Sequence, residues 1–263
     1  MRSEHKYVVP VCNLDGLRRS LSAYVTYDPY AARNSSRRYT IRSIYLDTPA
    51  LTAYREKLDG VKVRRKYRIR GYDRPTESSR VFLEIKQKVD QVGCKYRCQI
   101  QFGRLRTFLD IRDVERFVIP EPCFEQAHAN ARLFLAGVER GMMTPAVLVV
   151  YDREAFVSRL DPRIRITFDS HLRCAPLPDI SGLFEDTDLR PVGSGLAVVE
   201  IKFDGGYGSW LRAIVNAHGL VRTSVSKYAS CIAASRDCAP LLSRSVVRDD
   251  TARIMGRTEV MVR

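Results

Sequence analysis

The stretch LEIKQK at residues 83–88 alternates apolar and polar side chains, and VEIKF at residues 199–203 repeats this alternation far along the chain. Successive side chains of a β-strand point to opposite faces, so each stretch places a Glu and a Lys on one face and aliphatic side chains on the other. One interpretation is an ordinary exposed strand. The other is a binding site for an anion and its metal ion, and the remaining strands decide between them.

The segment 61–70 carries the same pattern more strongly. Its odd positions are mostly apolar or aromatic, whereas every even position is basic: Lys62, Arg64, Lys66, Arg68 and Arg70. A single strand of this kind is typical of a solvated surface. Charged residues nevertheless share one face in five further segments: Glu84, Lys86 and Lys88; Lys95 and Arg97; Arg163, Arg165 and Asp169; Glu200 and Lys202; and Glu4 and Lys6. Six strands are therefore predicted to be amphipathic in the same sense.

Period-two alternation dominates the chain and predicts about eight strands, at residues 3–9, 39–47, 61–72, 80–89, 94–102, 146–156, 162–170 and 196–203. Helical periodicity and capping residues predict helices at residues 13–24, 48–58, 104–116, 121–140, 208–218 and 225–238. Thr48 and Pro49 suit the start of the second of these, because Pro is favoured at the first helical position. The predicted class is α+β, with the strands in the majority.

The composition indicates a folded, basic protein. Of the 263 residues 45% are hydrophobic, and there are only 12 Pro and 15 Gly, which excludes a disordered chain. We expect residues 1–240 to form one domain and residues 241–263, where periodicity is lost, to be a tail of uncertain order. Lys and Arg number 44 against 30 Asp and Glu, a net charge of +14. So basic a chain usually has an anionic partner, such as nucleic acid, a membrane surface or phosphates.

The parity of the charges narrows this choice. About eight strands suffice to close a β-barrel, and helices packed on the apolar face would leave a lumen lined mainly by cations. Like charges in such a lumen repel one another, so an anion is needed there. Arginine and lysine suit phosphate oxygens, and a few carboxylates among them suit Mg²⁺ or Mn²⁺. Nucleic acid is not expected, because the cations face inward and no exposed aromatic platform is evident.

The cellular location is predicted from two features. The N-terminus lacks the apolar core of a signal peptide, and no window approaches the length of an apolar membrane span. The seven cysteines form neither a CxxC pair nor a zinc pattern, which is typical of free thiols in a reducing compartment. A cytoplasmic protein is therefore expected.

Eight motifs fall in an order that resembles the catalytic domain of the vacuolar transporter chaperone (VTC) polyphosphate polymerases, which are triphosphate tunnel metalloenzymes. They are SIYLDTP (43–49), AYREKLDG (53–60), RIRGY (68–72), FLEIKQK (82–88), YDREAF (151–156), RIRITFD (163–169), VVEIKF (198–203) and SVSKY (224–228). The resemblance spans about residues 2–235. It implies an eight-stranded antiparallel β-barrel with helices outside, which binds ATP or another nucleoside triphosphate with Mn²⁺ or Mg²⁺ and transfers the γ-phosphate to a growing polyphosphate chain.

The resemblance also implies roles for individual residues. Those implied to act on the transferred phosphates are Arg68, Arg70, Lys86, Arg153 and Arg165. Those implied to bind substrate are Lys6, Lys95, Arg97, Lys202, Ser224, Ser226 and Lys227. Those implied to hold the metal ion are Glu200, Glu84 and Glu4. His and Ser nucleophiles elsewhere are assigned no role, because phosphoryl transfer by positioning and charge neutralisation needs none.

Departures from the family pattern bear on the reaction. The hydrolytic tunnel enzymes begin with Glu-x-Glu-x-Lys, whereas this chain has Arg2 in place of the first Glu. Fewer carboxylates favour the polymerase branch. The eukaryotic polymerases also carry a regulatory domain and a membrane anchor that are not expected here, so a separate membrane protein is a possible partner. The oligomeric state is not indicated.

Two alternatives remain open at this point. A tripolyphosphatase or nucleoside triphosphatase of the same fold would use water as the acceptor. A non-catalytic polyphosphate-binding module would bind without turnover. Incubation with ATP and a divalent metal ion discriminates among the three.

Overall fold

The fold is described from a computed structural model, which covers residues 2–73, 75–76, 78–90, 92–121 and 126–235. The predicted tail at residues 241–263 lies outside the described residues. The described part consists of one antiparallel sheet with helices packed against it. The predicted α+β class is therefore confirmed.

The sheet follows from the period-two segments of the sequence. Its strands are β1 (Arg2–Pro10), β2 (Val25–Tyr27), β3 (Tyr39–Asp47), β4 (Val63–Tyr72), β5 (Arg80–Val89), β6 (Val92–Gln101), β7 (Thr144–Ser158), β8 (Arg165–Pro176), β9 (Arg190–Pro191) and β10 (Leu196–Asp204). Eight of them form a continuous antiparallel path in the order β1-β10-β8-β7-β3-β4-β5-β6, while β2 pairs with β7 and β9 with β8. The eight long strands correspond to the eight predicted from alternation.

The sheet curls so that its charged face is concave. Glu4 on β1 reaches Lys86 on β5 at 3.6 Å, although five strands of the path separate β1 from β5. No backbone pairing joins β1 to β6 within the described ranges. The sheet is thus barrel-like, and the ion pair between Glu4 and Lys86 spans its concave face from β1 to β5.

The helices lie against the convex, apolar face. They are α1 (Leu14–Leu21), α2 (Pro29–Arg33), α3 (Thr52–Leu58), α4 (Leu105–Ile111), α5 (Val114–Phe117), α6 (Ala127–Arg140), α7 (Ser209–Ala217) and α8 (Lys227–Ala234). Short 3₁₀ turns occupy Val11–Asn13, Phe102–Arg104 and Ile180–Phe184. Three apolar clusters fill the space between helices and sheet: one under α1 and α7, one under α3 and α8, and one under α4 to α6. Burying these clusters outside leaves the polar side chains of the strands inside.

The start of α3 differs from the prediction. The sequence places Pro49 at the first helical position, but α3 begins at Thr52, after Leu51 in the left-handed region at φ 53°. The reason is Asp47, whose carboxylate accepts hydrogen bonds from the backbone N–H groups of Ala53 and Tyr54 at 2.9 and 3.1 Å. With this cap, the unpaired N–H groups of the first turn have an acceptor when the helix begins at Thr52, three residues after the predicted start at Pro49.

Two further predictions concern helix ends and membrane spans. Parts of the predicted helices at 121–140 and 225–238, namely residues 122–125 and 236–238, lie outside the described residues. Within the described part, no helix has the length and hydropathy needed to cross a membrane.

Candidate active site

The concave face of the sheet encloses a cavity of about 560 Å³. Within the described part of the chain, two carboxylates line it, Glu4 and Glu200, together with twelve cations. The cations are Lys6, Lys57, Arg64, Lys66, Arg68, Arg70, Lys86, Lys88, Arg153, Lys202, Arg222 and Lys227. So large an excess of positive charge raises the local concentration of anions and disfavours the empty state.

One side of the cavity is formed by β4 and β5. The antiparallel register places Arg64 opposite Lys88 and Lys66 opposite Lys86, so like charges face each other across the two strands. Of these four, only Lys86 lies within ion-pairing distance of a described carboxylate, at 3.6 Å from Glu4. Like charges directly opposite in a sheet are destabilising, which makes this side suited to a ligand rather than to stability.

The other side, formed by β1, β7, β8, β10 and α8, carries carboxylates among its cations. Lys227 Nζ lies 2.6 Å from Asp169 and 2.8 Å from Glu200. Arg153 donates two hydrogen bonds of 2.6 Å to the two oxygens of Asp169. Lys6 and Lys202 lie 3.4 and 3.5 Å from Glu200. Each of these four cations therefore has a carboxylate partner within the protein.

This pairing shifts the pKa values of the buried groups. Burial alone would raise the pKa of Glu200, but Lys227, Lys6 and Lys202 outweigh it and hold that pKa well below its ordinary value. The pKa of Lys227 is raised for the converse reason, since Asp169 and Glu200 outweigh its burial. Both side chains are therefore fixed in their charged forms at neutral pH.

Helix α8 brings Lys227 into the cavity as its first residue. Ser226 caps the helix by accepting a hydrogen bond from the backbone N–H of Ala229 at 3.3 Å. At the second residue of the helix, the hydroxyl of Tyr228 donates to Asp47, the same carboxylate that caps α3. Asp47 thus positions two helices that supply cations to the cavity, Lys57 from α3 and Lys227 from α8.

Arg68 and Arg70 line the cavity beyond Lys66 on β4. Arg68 donates to Glu84 Oε2 at 2.7 Å and to the hydroxyl of Tyr45 at 2.9 Å. Burial would raise the pKa of Tyr45, but the charges of Arg68 and Arg70 outweigh burial, so the pKa is lowered. Arg70 Nε donates to Ser43 Oγ at 3.1 Å, and its other guanidinium N–H groups have no hydrogen-bond partner among the described residues, so they are available to a ligand in the cavity.

Comparison with known proteins identifies the family. The profile of the VTC domain matches residues 1–236, most of the chain. This chain belongs to the VTC domain family. The resemblance inferred from the eight motifs is confirmed, and membership of the VTC family supports a function related to polyphosphate. No curated protein matches the chain.

Two solved structures resemble this VTC domain weakly. One is the PH1819 protein from Pyrococcus horikoshii OT3, with 14% identity and a TM-score of 0.43, covering 87% of this chain and 96% of that one. The other is the adenylyl cyclase HpAC1 from Hippeastrum, described as having a dominant triphosphatase activity, with 14% identity, a TM-score of 0.43, and coverage of 87% and 94%. At these values the resemblance carries no conclusion about the function of this chain.

The VTC domain gathers most of the predicted site residues in one cavity. Those that line it are Glu4, Lys6, Arg68, Arg70, Lys86, Arg153, Glu200, Lys202, Ser224, Ser226 and Lys227. Glu84, Lys95, Arg97 and Arg165 lie outside this lining. Their predicted roles in metal and substrate binding stay predictions.

The four residues outside the lining have partners of their own. The side chain of Glu84 is fully buried, with Lys95 Nζ at 2.7 Å and Arg97 Nε at 2.7 Å on one oxygen and Arg68 on the other. Arg68 and Arg70, followed by Lys95 and Arg97, outweigh the effect of burial and hold the pKa of Glu84 well below its ordinary value. Arg165, on β8, instead forms an ion pair of 2.9 Å with Asp28, the N-cap of α2.

Several lining residues escaped the sequence analysis, namely Tyr45, Lys57, Tyr151, Arg222, Thr223, Val225 and Tyr228. Tyr45, Lys57, Tyr151 and Tyr228 lie within the quoted motifs, but their parity or helical position gives no sign of the cavity. Arg222 belongs to an irregular segment that is held against β1 by an isolated bridge to Tyr7. A basic residue shortly before SVSKY is the only signal that could have indicated it.

The donor set was compared with the needs of a divalent metal ion. Among the described residues, no three His, Cys, Asp or Glu side chains gather where they could hold a metal ion. Glu4 and Glu200 are nevertheless close to each other, because both contact Lys202 Nζ, at 3.4 and 3.5 Å. Mg²⁺ is commonly held by one or two carboxylates together with substrate phosphates. These two side chains fit such a site, with phosphate oxygens as the remaining ligands.

Proposed function

We propose that this chain is a polyphosphate polymerase, which transfers the γ-phosphate of ATP or another nucleoside triphosphate to a growing polyphosphate chain. The observation that carries the proposal is the cavity, which is lined, among the residues that the structure describes, by twelve cations and two carboxylates. Phosphoryl transfer requires mainly positioning and neutralisation of charge on the phosphate oxygens. The cations of the cavity offer both positioning and neutralisation, and the membership of this chain in the VTC domain family supports a polyphosphate-related substrate.

Arginine side chains would hold the phosphates in line. Arg70 and Arg153 approach the cavity from different strands, β4 and β7, and both are largely buried. A planar guanidinium group can bind two oxygens at once, which fixes orientation as well as charge. Arg153 already binds both oxygens of Asp169 in this way, so it would contribute mainly its charge to the phosphates. Lys86, Lys202 and Lys227 add point charges around them.

The acceptor is proposed to be the terminal phosphate of the chain rather than water. A general base works best with a pKa near the operating pH. The pKa of Glu200 is held well below its ordinary value, and that of Glu4 is also lowered, since Lys6, Lys86 and Lys202 together outweigh its burial and its repulsion by Glu200. Both carboxylates are thus held in their ionised forms, and the terminal oxygens of polyphosphate are themselves ionised and need no base.

A divalent metal ion, Mn²⁺ or Mg²⁺, would be held by Glu200 and Glu4. When bound, it would neutralise charge on the β- and γ-phosphate oxygens. The predicted role of Glu84 as a ligand is less well supported, because three cations already occupy its oxygens. Lys95, Arg97 and Arg165 are not part of the cavity lining and pair with Glu84 or Asp28, so their contacts with substrate stay predictions.

The proposal is tested by incubating the purified chain with ATP and Mn²⁺ or Mg²⁺ and separating the products by length on a gel. A polymer of inorganic phosphate retained on the gel supports the polymerase. Free phosphate without polymer indicates the hydrolase, and tight binding without turnover indicates the binding module. Arg106→Ala is a control, because Arg106 is exposed and pairs with Asp179 outside the cavity. A cytoplasmic location, a separate membrane partner and the absence of a nucleic-acid partner remain predictions.

A further inference from the structure

Lys66, on the β4–β5 side of the cavity, is partly buried and has unusual partners. Its Nζ lies 3.0 Å from Ser226 Oγ and 5.2 Å from the centre of the Tyr228 ring. Within the described ranges it forms no ion pair with a carboxylate. Its charged form is thus supported by one hydroxyl and one aromatic face, both from the start of α8.

The charged groups around Lys66 come from every element packed against it. Facing it are Arg64 and Arg68 from β4, Lys86 from β5, Lys6 from β1 and Lys57 from α3, while α8 contributes Ser226 and Tyr228. The carboxylates of the neighbouring strands are engaged elsewhere. Glu4 on β1 contacts Lys6, Lys86 and Lys202, and Glu84 on β5 contacts Arg68, Lys95 and Arg97. Lys66 is therefore surrounded by its own sign of charge.

This environment disfavours the ammonium form of Lys66 when the cavity holds no anion. Burial, followed by repulsion from Lys57, Lys6, Lys86 and Arg64, lowers the pKa of Lys66 to about 7. Lys227 is the converse case in the same cavity, because two carboxylates raise its pKa. Both lysines lie next to Ser226, Lys66 through its hydrogen bond and Lys227 as the following residue, but only Lys227 has carboxylate partners among the described residues.

We propose that Lys66 is a further phosphate-binding side chain and that it takes up a proton from the solvent when a phosphate chain enters the cavity. The inference rests on the proposed substrate class, but it does not depend on turnover. A phosphate oxygen near Lys66 supplies the negative charge that no described carboxylate provides, and it accepts a hydrogen bond from the ammonium group. In the empty cavity the neutral amine lessens repulsion among the cations. Proton uptake and anion binding are then linked.

The linkage also reaches α8. Ser226 Oγ accepts hydrogen bonds from both Lys66 Nζ and the backbone N–H of Ala229, so its own hydroxyl hydrogen is available to a ligand. A phosphate that charges Lys66 therefore also contacts the first turn of the helix that carries Lys227. Ser226 thus lies where a phosphate could contact both the β4–β5 side of the cavity and α8.

The test is calorimetric titration of the full chain with tripolyphosphate, without metal ion or nucleotide, at pH 7 in buffers of different ionisation enthalpy. The dependence of the observed heat on the buffer gives the number of protons taken up. The wild type should take up about half a proton more than Lys66→Arg, because an arginine is charged before the ligand arrives. Titration of tripolyphosphate itself is common to both proteins and cancels. Lys88→Arg, on the same side of the cavity, controls for the change of side chain.

Affinity gives a second measurement. Between pH 8 and pH 6 the wild type should gain about tenfold more affinity for tripolyphosphate than Lys66→Arg gains, and Lys66→Met should bind weakly at both pH values. Equal proton uptake by the wild type and Lys66→Arg overturns the proposal, and so does failure of the wild type to bind tripolyphosphate. Binding with the expected uptake but without ATP turnover leaves the role of Lys66 standing and overturns only the polymerase.

Discussion

The two sides of the cavity both carry several cations, but they differ in whether carboxylates neutralise them. We call Arg64, Lys66 and Lys88 the unpaired wall, since none of the three forms an ion pair with a described carboxylate. We call Arg153 and Lys227, with Asp169 and Glu200, the paired wall. The paired wall is charged and ordered without a ligand. The unpaired wall accumulates repulsion that an incoming anion relieves.

The difference separates stability from function. Removing one partner of a buried ion pair leaves an uncompensated charge, which costs roughly 3–5 kcal/mol. Removing a cation from among like charges relieves repulsion instead. Substitutions of cations on the β4–β5 side of the cavity should therefore lower activity without lowering stability. Substitutions in the paired wall should lower both.

The largest effect is expected for Lys227→Met. Asp169 and Glu200 then lose their closest ammonium group, at 2.6 and 2.8 Å. Polymer formation should fall to background, and the free energy of unfolding should drop by roughly 3–5 kcal/mol, as measured by urea denaturation. Lys227→Arg is the matched control and should retain most of the stability. An unchanged urea midpoint for Lys227→Met would contradict the division into two walls.

A purely functional effect is expected for Lys86→Ala. The side chain of Lys86 is half-exposed and has one distant partner, Glu4 at 3.6 Å, so its loss should change stability by less than about 1 kcal/mol. The rate of polymer formation should nevertheless fall about 100-fold or more, as for removal of one group that stabilises transition-state charge. Arg106→Ala should leave both quantities unchanged. A Lys86→Ala variant with normal turnover of ATP would show that the cavity assignment is wrong.

A smaller effect is expected on the stability of the protein at acidic pH. The pKa values of Glu200 and Asp169 are lowered in the folded protein, so the unfolded chain binds more protons as pH falls below about 4 to 5. The stability that these carboxylates contribute is present above that range and is lost as pH falls through their folded pKa values. Glu200→Gln should therefore flatten the decline in unfolding midpoint between about pH 5 and pH 3. A decline as steep as that of the wild type would place the acid sensitivity elsewhere.

The sequence predicted the strands and the cationic face, and it did so for a definite reason. Side-chain parity depends only on the strand itself, so Arg68, Lys86 and Lys202 could be placed on the inner face before any strand partner was known. The bounds of β3 and β5 were predicted to the residue. Helix starts were less accurate where a distant carboxylate such as Asp47 supplies the cap.

Pairing could not be predicted, because it depends on which strands become neighbours. Glu84 and Glu200 occupy the same position in their EIK motifs, yet Glu84 is enclosed by Arg68, Lys95 and Arg97, whereas Glu200 lines the cavity. Arg165 shares a parity with Asp169 but pairs with Asp28 from a short helix that no periodicity indicated.

The most direct test of the two-wall account is the thermal unfolding midpoint with and without tripolyphosphate, in the absence of metal ion. The account predicts that the midpoint of the wild type rises with tripolyphosphate, by an amount equivalent to about 2.7 kcal/mol at one hundred times the dissociation constant. Sulfate at equal ionic strength should have little effect, and Lys66→Met and Lys86→Ala should lose most of the rise. No rise with tripolyphosphate, or an equal rise with sulfate, would contradict the claim that the β4–β5 side of the cavity, which holds the unpaired wall and Lys86, is a binding surface for a phosphate chain.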